Sequence, residues 1–178
     1  MEKAGIFYGS STGNTEAIAE SIREKLGPSH ADIFDVAVCS RKEMEQYSFL
    51  IFGIPTWGLG DLQDDWEAFI PSLEAADLKD KTVAIYGLGD QDTYPDSFAD
   101  AMRIIYDILL EKGCRITGKW PVADYFFDAS EAVVDGYFVG LVIDEDGQSE
   151  LTEKRLTSWL KQITQESETV TGNINRTV

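Results

Sequence analysis

The chain alternates short apolar runs with segments whose apolar residues recur at helical spacing, and this alternation constrains the fold most. Strands are predicted for the runs at 5–9, 33–38, 48–54, 82–86 and 114–117, and helices at 15–26, 64–73, 96–112 and 152–165. The third run is apolar almost throughout, which is typical of a strand buried on both faces. We therefore predict an α/β fold with a doubly wound five-stranded parallel sheet and helices on both faces.

The fifth strand is expected to be interrupted. Residues 118–140 show no clean helical period, yet 139–143 again look like a strand. The simplest interpretation is one strand broken by a loop of about 20 residues, a length that is uncommon and often functional. We expect a single domain over residues 1–165, with Pro71 as a possible early end of its second helix. A polar, disordered tail is expected over 166–178.

Composition narrows the possible partners. The 178 residues include 32 Asp and Glu but only 15 Lys and Arg, a formal net charge of −17. Such a chain is not expected to bind nucleic acid or anionic membranes, and it favours basic protein partners, although the charge also serves solubility.

Cys39 and Cys114 are too few for a zinc site and predict reduced thiols. With no signal peptide or membrane-length apolar run, we expect a cytoplasmic protein.

The loop after the first strand has the composition of an anion site. It contains Ser10, Ser11, Thr12, Gly13, Asn14 and Thr15. It lacks the lysine of a P-loop and the spacing of a dinucleotide fingerprint. Backbone N–H groups at a helix N-terminus, helped by hydroxyls, can nevertheless hold a phosphate through neutral donors. The alternative is a helix cap rich in Ser and Thr.

Aromatic side chains follow the third and fourth strands. Trp57 lies in the loop 55–61 and Tyr94 in the loop 87–95. Parallel strands bring such loops to one edge of the sheet, where flat rings suit a planar ligand. Asp90 could accept a hydrogen bond from a ring N–H. Trp57 could instead fold back on the core, and Tyr94 could belong to an ordinary turn, but together the loops predict a mononucleotide with a large ring.

Four motifs, in this order, resemble those of the long-chain flavodoxins, over Ile6 to about Gln165. They are Gly9-Ser10-Ser11-Thr12-Gly13-Asn14-Thr15, Gly53-Ile54-Pro55-Thr56-Trp57, Tyr86-Gly87-Leu88-Gly89-Asp90-Gln91 with Tyr94-Pro95, and Glu131-Ala132-Val133-Val134-Asp135-Gly136 with Phe138-Val139-Gly140-Leu141. The resemblance implies the strand order 2-1-3-4-5 and non-covalent FMN. It implies a low-potential one-electron carrier, not an enzyme, that shuttles between semiquinone and hydroquinone.

The resemblance also implies residue roles. The loop 10–15 would take the phosphate, and Trp57 and Tyr94 would sandwich the isoalloxazine, Tyr94 being the more coplanar. Asp90 would lie near the pyrimidine edge and Asp146 near the ribityl chain. The other expected contacts come from the same loops: Pro55, Thr56, Gly58, Leu59, Gly60, Leu88 and Gly89.

Two expectations about redox tuning follow. The fully reduced flavin is anionic, so carboxylates around it, without nearby basic residues, should make its potential strongly negative. By resemblance, the Gly58–Leu59 peptide turns so that its carbonyl accepts from flavin N5–H. Because glycine tolerates positive φ, we expect Gly58→Ala to lower the semiquinone yield.

The expected partners are basic redox proteins, such as ferredoxin/flavodoxin–NADP reductase and low-potential oxidoreductases. The chain itself is expected to be a monomer. Three alternatives are considered. A flavin enzyme such as a quinone reductase would need an open pocket over the ring. A phosphoacceptor receiver domain would need acidic residues where Gly9-Ser10 and Pro55-Thr56 stand. A flavin-free interaction domain would be colourless.

Overall fold

Alternating strands and helices build a parallel sheet in a computed structural model that describes residues 2–174, with side chains described through residue 167. In chain order the elements are β1 (Ala4–Tyr8), α1 (Asn14–Leu26), β2 (Ala31–Asp35), α2 (Arg41–Glu45), β3 (Phe49–Trp57), β4 (Asp61–Leu62), α3 (Asp64–Ala75), β5 (Thr82–Leu88), α4 (Ala101–Glu111), β6 (Arg115–Thr117), β7 (Trp120–Pro121), β8 (Val133–Val134), β9 (Tyr137–Phe138), β10 (Leu141–Ile143) and α5 (Ser149–Ile174). The central order is β2-β1-β3-β5-β10, which confirms the predicted 2-1-3-4-5 topology.

The two faces of the sheet carry separate apolar cores. On one face, Ile22 of α1 and Trp159 of α5 pack against residues of β1, β3 and β5. On the other, Trp66 of α3 and Met102 of α4 pack against the same strands. Because both faces are covered, β3 is buried from Phe49 through Pro55, as its apolar sequence predicts.

The fifth strand is interrupted as expected. Both β6 and β10 pair in parallel with β5, Thr117 opposite Ala84 and Leu141 opposite Tyr86. The intervening residues carry their own antiparallel sheet in the order β7-β9-β8. The insertion is therefore a small folded unit, which the sequence did not predict.

Two helix boundaries differ from expectation near the site. Helix α4 begins at Ala101, five residues later than predicted, because Ala99 takes a left-handed backbone conformation with φ of 59° that a helix cannot include. Pro71 lies inside α3 and does not end it. Burial of Trp66, Phe69 and Leu73 outweighs the cost of about 3 kcal/mol for an interior proline.

The last helix is longer than the predicted 152–165. Helix α5 extends to Ile174, well past Glu166, where a disordered tail was expected to begin. The Glu166 carboxylate accepts hydrogen bonds from the Gly118 N–H, at 2.9 Å, and from the Thr117 hydroxyl, which fix the helix against the end of β6. Residues 175–178 lie outside the described part of the chain.

Smaller differences concern the edges of the sheet. Strand β2 ends at Asp35, three residues early, because the Asp35 carboxylate accepts from the Ala37 N–H and starts a turn. Helix α2, whose N-terminus is capped by a capping box of Ser40 and Glu43, was not predicted.

Within residues 2–174, no helix has the length and apolarity needed to cross a bilayer.

Candidate functional site

The loop between β1 and α1 presents open donors. Helix α1 begins after Gly13, whose φ of 91° suits glycine, and within the described chain no side chain caps it. The Ser10 hydroxyl oxygen accepts from the Gly13 N–H at 3.0 Å, so the Ser10 proton is free to donate elsewhere. The first-turn N–H groups of Asn14 and Thr15 point to the same end of the helix, which favours an anion there.

Buried tyrosine and glycine residues hold this loop in place. The Tyr86 hydroxyl, buried in β5, donates to the Thr15 carbonyl oxygen at 2.9 Å. A Cβ on Gly53 would lie 2.2 Å from that hydroxyl oxygen, so only glycine leaves room for it. Burial raises the pKa of Tyr86 well above its usual range, so the phenol keeps its proton.

Two aromatic side chains stand half-exposed at the edge of the cavity. Trp57 and Tyr94 are each 41% exposed, so neither folds into the core. Trp57 ends β3, and its carbonyl oxygen accepts from the Gly60 N–H at 3.2 Å in the turn that leads to β4. The alternative in which Trp57 covers the core is therefore wrong.

The loops converge on one cavity of about 300 Å³ at the carboxyl edge of the sheet. The side chains and backbone that line it are Ser10, Ser11, Thr12, Asn14, Thr15, Pro55, Thr56, Trp57, Gly58, Leu88, Gly89, Asp90, Tyr94, Glu145 and Asp146. Fourteen of these were predicted. Gly13, Leu59 and Gly60 are not among the lining residues and lie in the adjoining turns, while Glu145 lines the cavity although it was not among the predicted contacts.

Carboxylates give the cavity a negative side. Asp90, Glu145 and Asp146 line it, and no Lys or Arg does so within the part of the chain described. Partial burial would raise the pKa of Asp90, but hydrogen bonds from Thr93 and from the Asp92 N–H outweigh it and hold that pKa below its usual range. Asp90 is therefore charged at neutral pH, and one of its oxygens accepts from the backbone N–H groups of Asp92 and Thr93.

A buried carboxylate joins the loops that carry Asp90 and Asp146. Asp144 is fully buried and accepts from the Gln91 N–H at 3.2 Å and from the Gly147 N–H at 2.8 Å. The Gln91 side-chain oxygen accepts in turn from the Phe126 N–H of the insertion, at 2.6 Å. This structural role of Asp144 leaves no signal in the sequence, because no periodicity marks a carboxylate that bonds to backbone N–H groups.

Neutral donors and flat rings fit FMN. Hydroxyl protons and helix N–H groups gather at the end near Ser10, which suits a phosphate group. Trp57 and Tyr94 offer exposed ring faces that suit an isoalloxazine, with Asp90 able to accept from its ring N–H. The residues present thus fit the phosphate and the ring of the cofactor that the resemblance implies.

The fold and the cavity define a doubly wound α/β protein whose ligand site lies beyond the carboxyl ends of its strands. Comparison with known proteins places it more closely. The family described as flavodoxin matches residues 6–159. A flavodoxin from Haemophilus influenzae is 50% identical over 164 residues, which cover 92% of this chain and 94% of the relative. Flavodoxin 1 of Escherichia coli K12 is 48% identical over 167 residues, 93% and 95% of the two chains.

Solved structures agree. The structure of Fusobacterium nucleatum flavodoxin bound to flavin mononucleotide is similar with a TM-score of 0.89 and 32% identity, and the match covers 93% of this chain and 99% of that one. The chain belongs to the flavodoxin family. It is accordingly an electron-transfer protein with FMN as its cofactor, and not an enzyme.

Proposed function

We propose that this cavity is the FMN site and that the protein carries single electrons at low potential between redox enzymes. Bound FMN supplies the one-electron chemistry. The observation that carries the proposal is the meeting, in one cavity, of neutral donors at the start of α1 with two half-exposed aromatic rings. The cavity size and the absence of basic lining residues in the described chain are consistent with it.

Residue roles follow from position. Ser10, Ser11, Thr12, Asn14 and Thr15 bind the phosphate through hydroxyl and N–H donors, and Gly13 gives the helix its open start. Trp57 and Tyr94 flank the ring and exclude water. Further contacts come from Pro55, Thr56, Gly58, Leu59, Gly60, Leu88, Gly89, Asp90 and Asp146.

The carboxylates lower the potential. Asp90, Glu145 and Asp146 place negative charge beside a cofactor that gains negative charge on full reduction, and repulsion disfavours that reduction. Each 1.4 kcal/mol of repulsion changes the equilibrium about tenfold. The fully reduced holoprotein should thus be a strong reductant that can donate electrons to enzymes that work at low potential.

Stepwise anaerobic reduction of the holoprotein tests the proposal. A yellow protein that turns blue and then pale supports a one-electron carrier. Bleaching without a blue stage would contradict one-electron transfer, and a colourless protein that ignores added FMN would contradict the assignment of the cavity.

We further propose that the partners are basic redox proteins, such as ferredoxin/flavodoxin–NADP reductase, and that this protein encounters them as a monomer in the cytoplasm. Exposed carboxylates, including Asp61, Asp64, Asp92 and Asp96, lie within a few residues along the chain of Gly58, Asp90 and Tyr94, which line the cavity. They would steer a basic partner, so the electron-transfer rate should fall as ionic strength rises. The two cysteines are free, which is consistent with a reducing compartment.

Paired variants localise this steering. Asp92→Asn with Asp96→Asn should slow transfer to a basic reductase at low salt. Glu74→Gln with Glu111→Gln removes the same charge from exposed positions at the other ends of α3 and α4. Equal slowing by both pairs would show that net charge, and not the charge around the cavity, governs encounter. Analytical sedimentation of the holoprotein tests whether it is a monomer in solution.

A further inference from the structure

The helix cap beneath the phosphate loop has more hydrogen bonds than capping requires. Gln63 is only 3% exposed and does not line the cavity. Its side-chain oxygen accepts from the Trp66 N–H at 3.3 Å and so caps α3. Its amide nitrogen donates to Asp65 at 2.5 Å and to the Ser11 hydroxyl oxygen at 3.1 Å. The second pair of contacts has no part in the cap.

The partners of Gln63 leave its amide a single orientation. The Trp66 N–H can only donate, so it must face the amide oxygen. A charged Asp65 carboxylate can only accept, so it must face the amide nitrogen. The remaining amide proton therefore points to Ser11, whose oxygen is the acceptor in that bond.

Because the Ser11 oxygen accepts from Gln63, the single Ser11 proton must point elsewhere. Ser11 lines the cavity, and Ser10 is set the same way by the Gly13 N–H. We propose that Gln63 is a positioning residue that keeps the Ser11 hydroxyl a donor toward the cofactor phosphate. This inference rests on the proposed FMN site.

The packing leaves Gln63 little freedom to turn away. A Cβ on Gly9 would lie 2.4 Å from the Gln63 oxygen and 2.6 Å from the Trp66 ring. Glycine at this position therefore lets the amide lie directly against the end of β1. The Trp66 ring nitrogen donates to the Gly53 carbonyl oxygen at 2.7 Å, which fixes the ring on the same side.

The test compares the affinity of the full-length apoprotein for FMN and for riboflavin, which lacks the phosphate. The ratio of the two dissociation constants isolates the phosphate site from the ring site. In Gln63→Met, the preference for FMN over riboflavin should fall about tenfold. The Ser11 hydroxyl is then no longer held as a donor to the charged phosphate, and a hydrogen bond to a charged group is lost. Gln63→Glu keeps an acceptor for the cap of α3, but its carboxylate accepts a hydrogen bond from the Ser11 hydroxyl and adds charge, so the preference for FMN should fall further.

A double-mutant cycle shows whether Gln63 acts through Ser11. In the Ser11→Ala background, Gln63→Met should leave the FMN preference unchanged, because the hydroxyl is already gone. Ser40→Ala is the matched control. Ser40 caps α2 with its side chain and does not line the cavity, so its loss should lower stability without changing the preference.

Each result has a distinct meaning. If the parent protein binds FMN and riboflavin equally, the proposed phosphate site is wrong. If the parent prefers FMN but both Gln63 variants keep that preference within about twofold, Gln63 has only a structural role. A full further drop in the Ser11→Ala background would also overturn the inference, because Gln63 would then act by another route.

Discussion

The turn after Trp57 makes Leu59→Gly a sharp test of redox tuning. Gly58 has a φ of 53°, whereas Leu59 has a negative φ. The family resemblance implies that the peptide between them turns on reduction, so that its carbonyl faces the flavin. Rotating that peptide by about half a turn reverses the sign of φ at the residue that follows it. Leu59 would then enter a region that glycine occupies more readily.

The expected size follows from the backbone. A non-glycine residue at positive φ costs about 1 kcal/mol or slightly more relative to glycine. Leu59 is 83% exposed, so removing its side chain loses little burial. Leu59→Gly should therefore favour the turned peptide about fivefold. For a one-electron couple, this raises the first reduction potential by about 40 mV.

Redox titration of the holoprotein with indicator dyes measures this potential and the yield of the blue species. Gly58→Ala should lower that yield, because the turn also rotates ψ of residue 58, and at positive φ alanine has a much narrower range of ψ than glycine. The added Cβ would also lie 2.8 Å from an Asp61 oxygen. Val38→Gly is the control, since Val38 is 86% exposed in a turn outside the cavity. A Leu59→Gly potential within about 10 mV of the parent would refute the reasoning.

Three further predictions concern the supporting structure. Tyr86→Phe removes the bond to Thr15 and should cost about 1 kcal/mol in urea unfolding, while Tyr137→Phe, at an exposed site, should cost nothing measurable. For Glu166, hydrogen bonds from Thr117, Gln162 and Gly118 outweigh burial and lower its pKa from 4.5, so its stabilisation is present above pH 4.5 and is lost as pH falls through the lowered pKa. Melting temperatures between about pH 6 and 3 should therefore fall less steeply in Glu166→Gln than in the parent. Burial raises the pKa of Cys114 to about 11, so a thiol reagent at pH 8 should label it only after unfolding.

Much of the site was predictable because parallel strands bring their following loops to one edge. Loop composition then indicated the ligand, as Ser10, Trp57 and Tyr94 show by lining one cavity. The start of α4 was not predictable, because the helical period continues through residues 96–100. Ala99 breaks it through a tertiary constraint, in which the Phe98 N–H bonds to Ala129 and the Ala101 N–H to Thr56.

Side chains that act behind the cavity left no sequence signal. Gln63 reads as one polar residue before an amphipathic helix, and a serine there would predict the same cap. Its reach to Ser11 depends on β4 turning back along β3 and on the missing Cβ at Gly9. Asp144 likewise reads as one more acid in an acidic loop, although it is fully buried. Only the assembled sheet distinguishes such residues from their neighbours.

The acidity of the chain explains why these orienting contacts matter. A lysine in the phosphate loop would bind any anion and would also offset the negative charge that keeps the potential low. Neutral donors avoid both effects, but a hydroxyl can accept as readily as it donates. In a chain of net charge −17, a hydroxyl therefore adds to the backbone N–H donors of the phosphate site only if its proton points toward the phosphate. Bonds that occupy the oxygens of Ser10 and Ser11 meet that condition, and so they connect a low potential with selective binding of the cofactor.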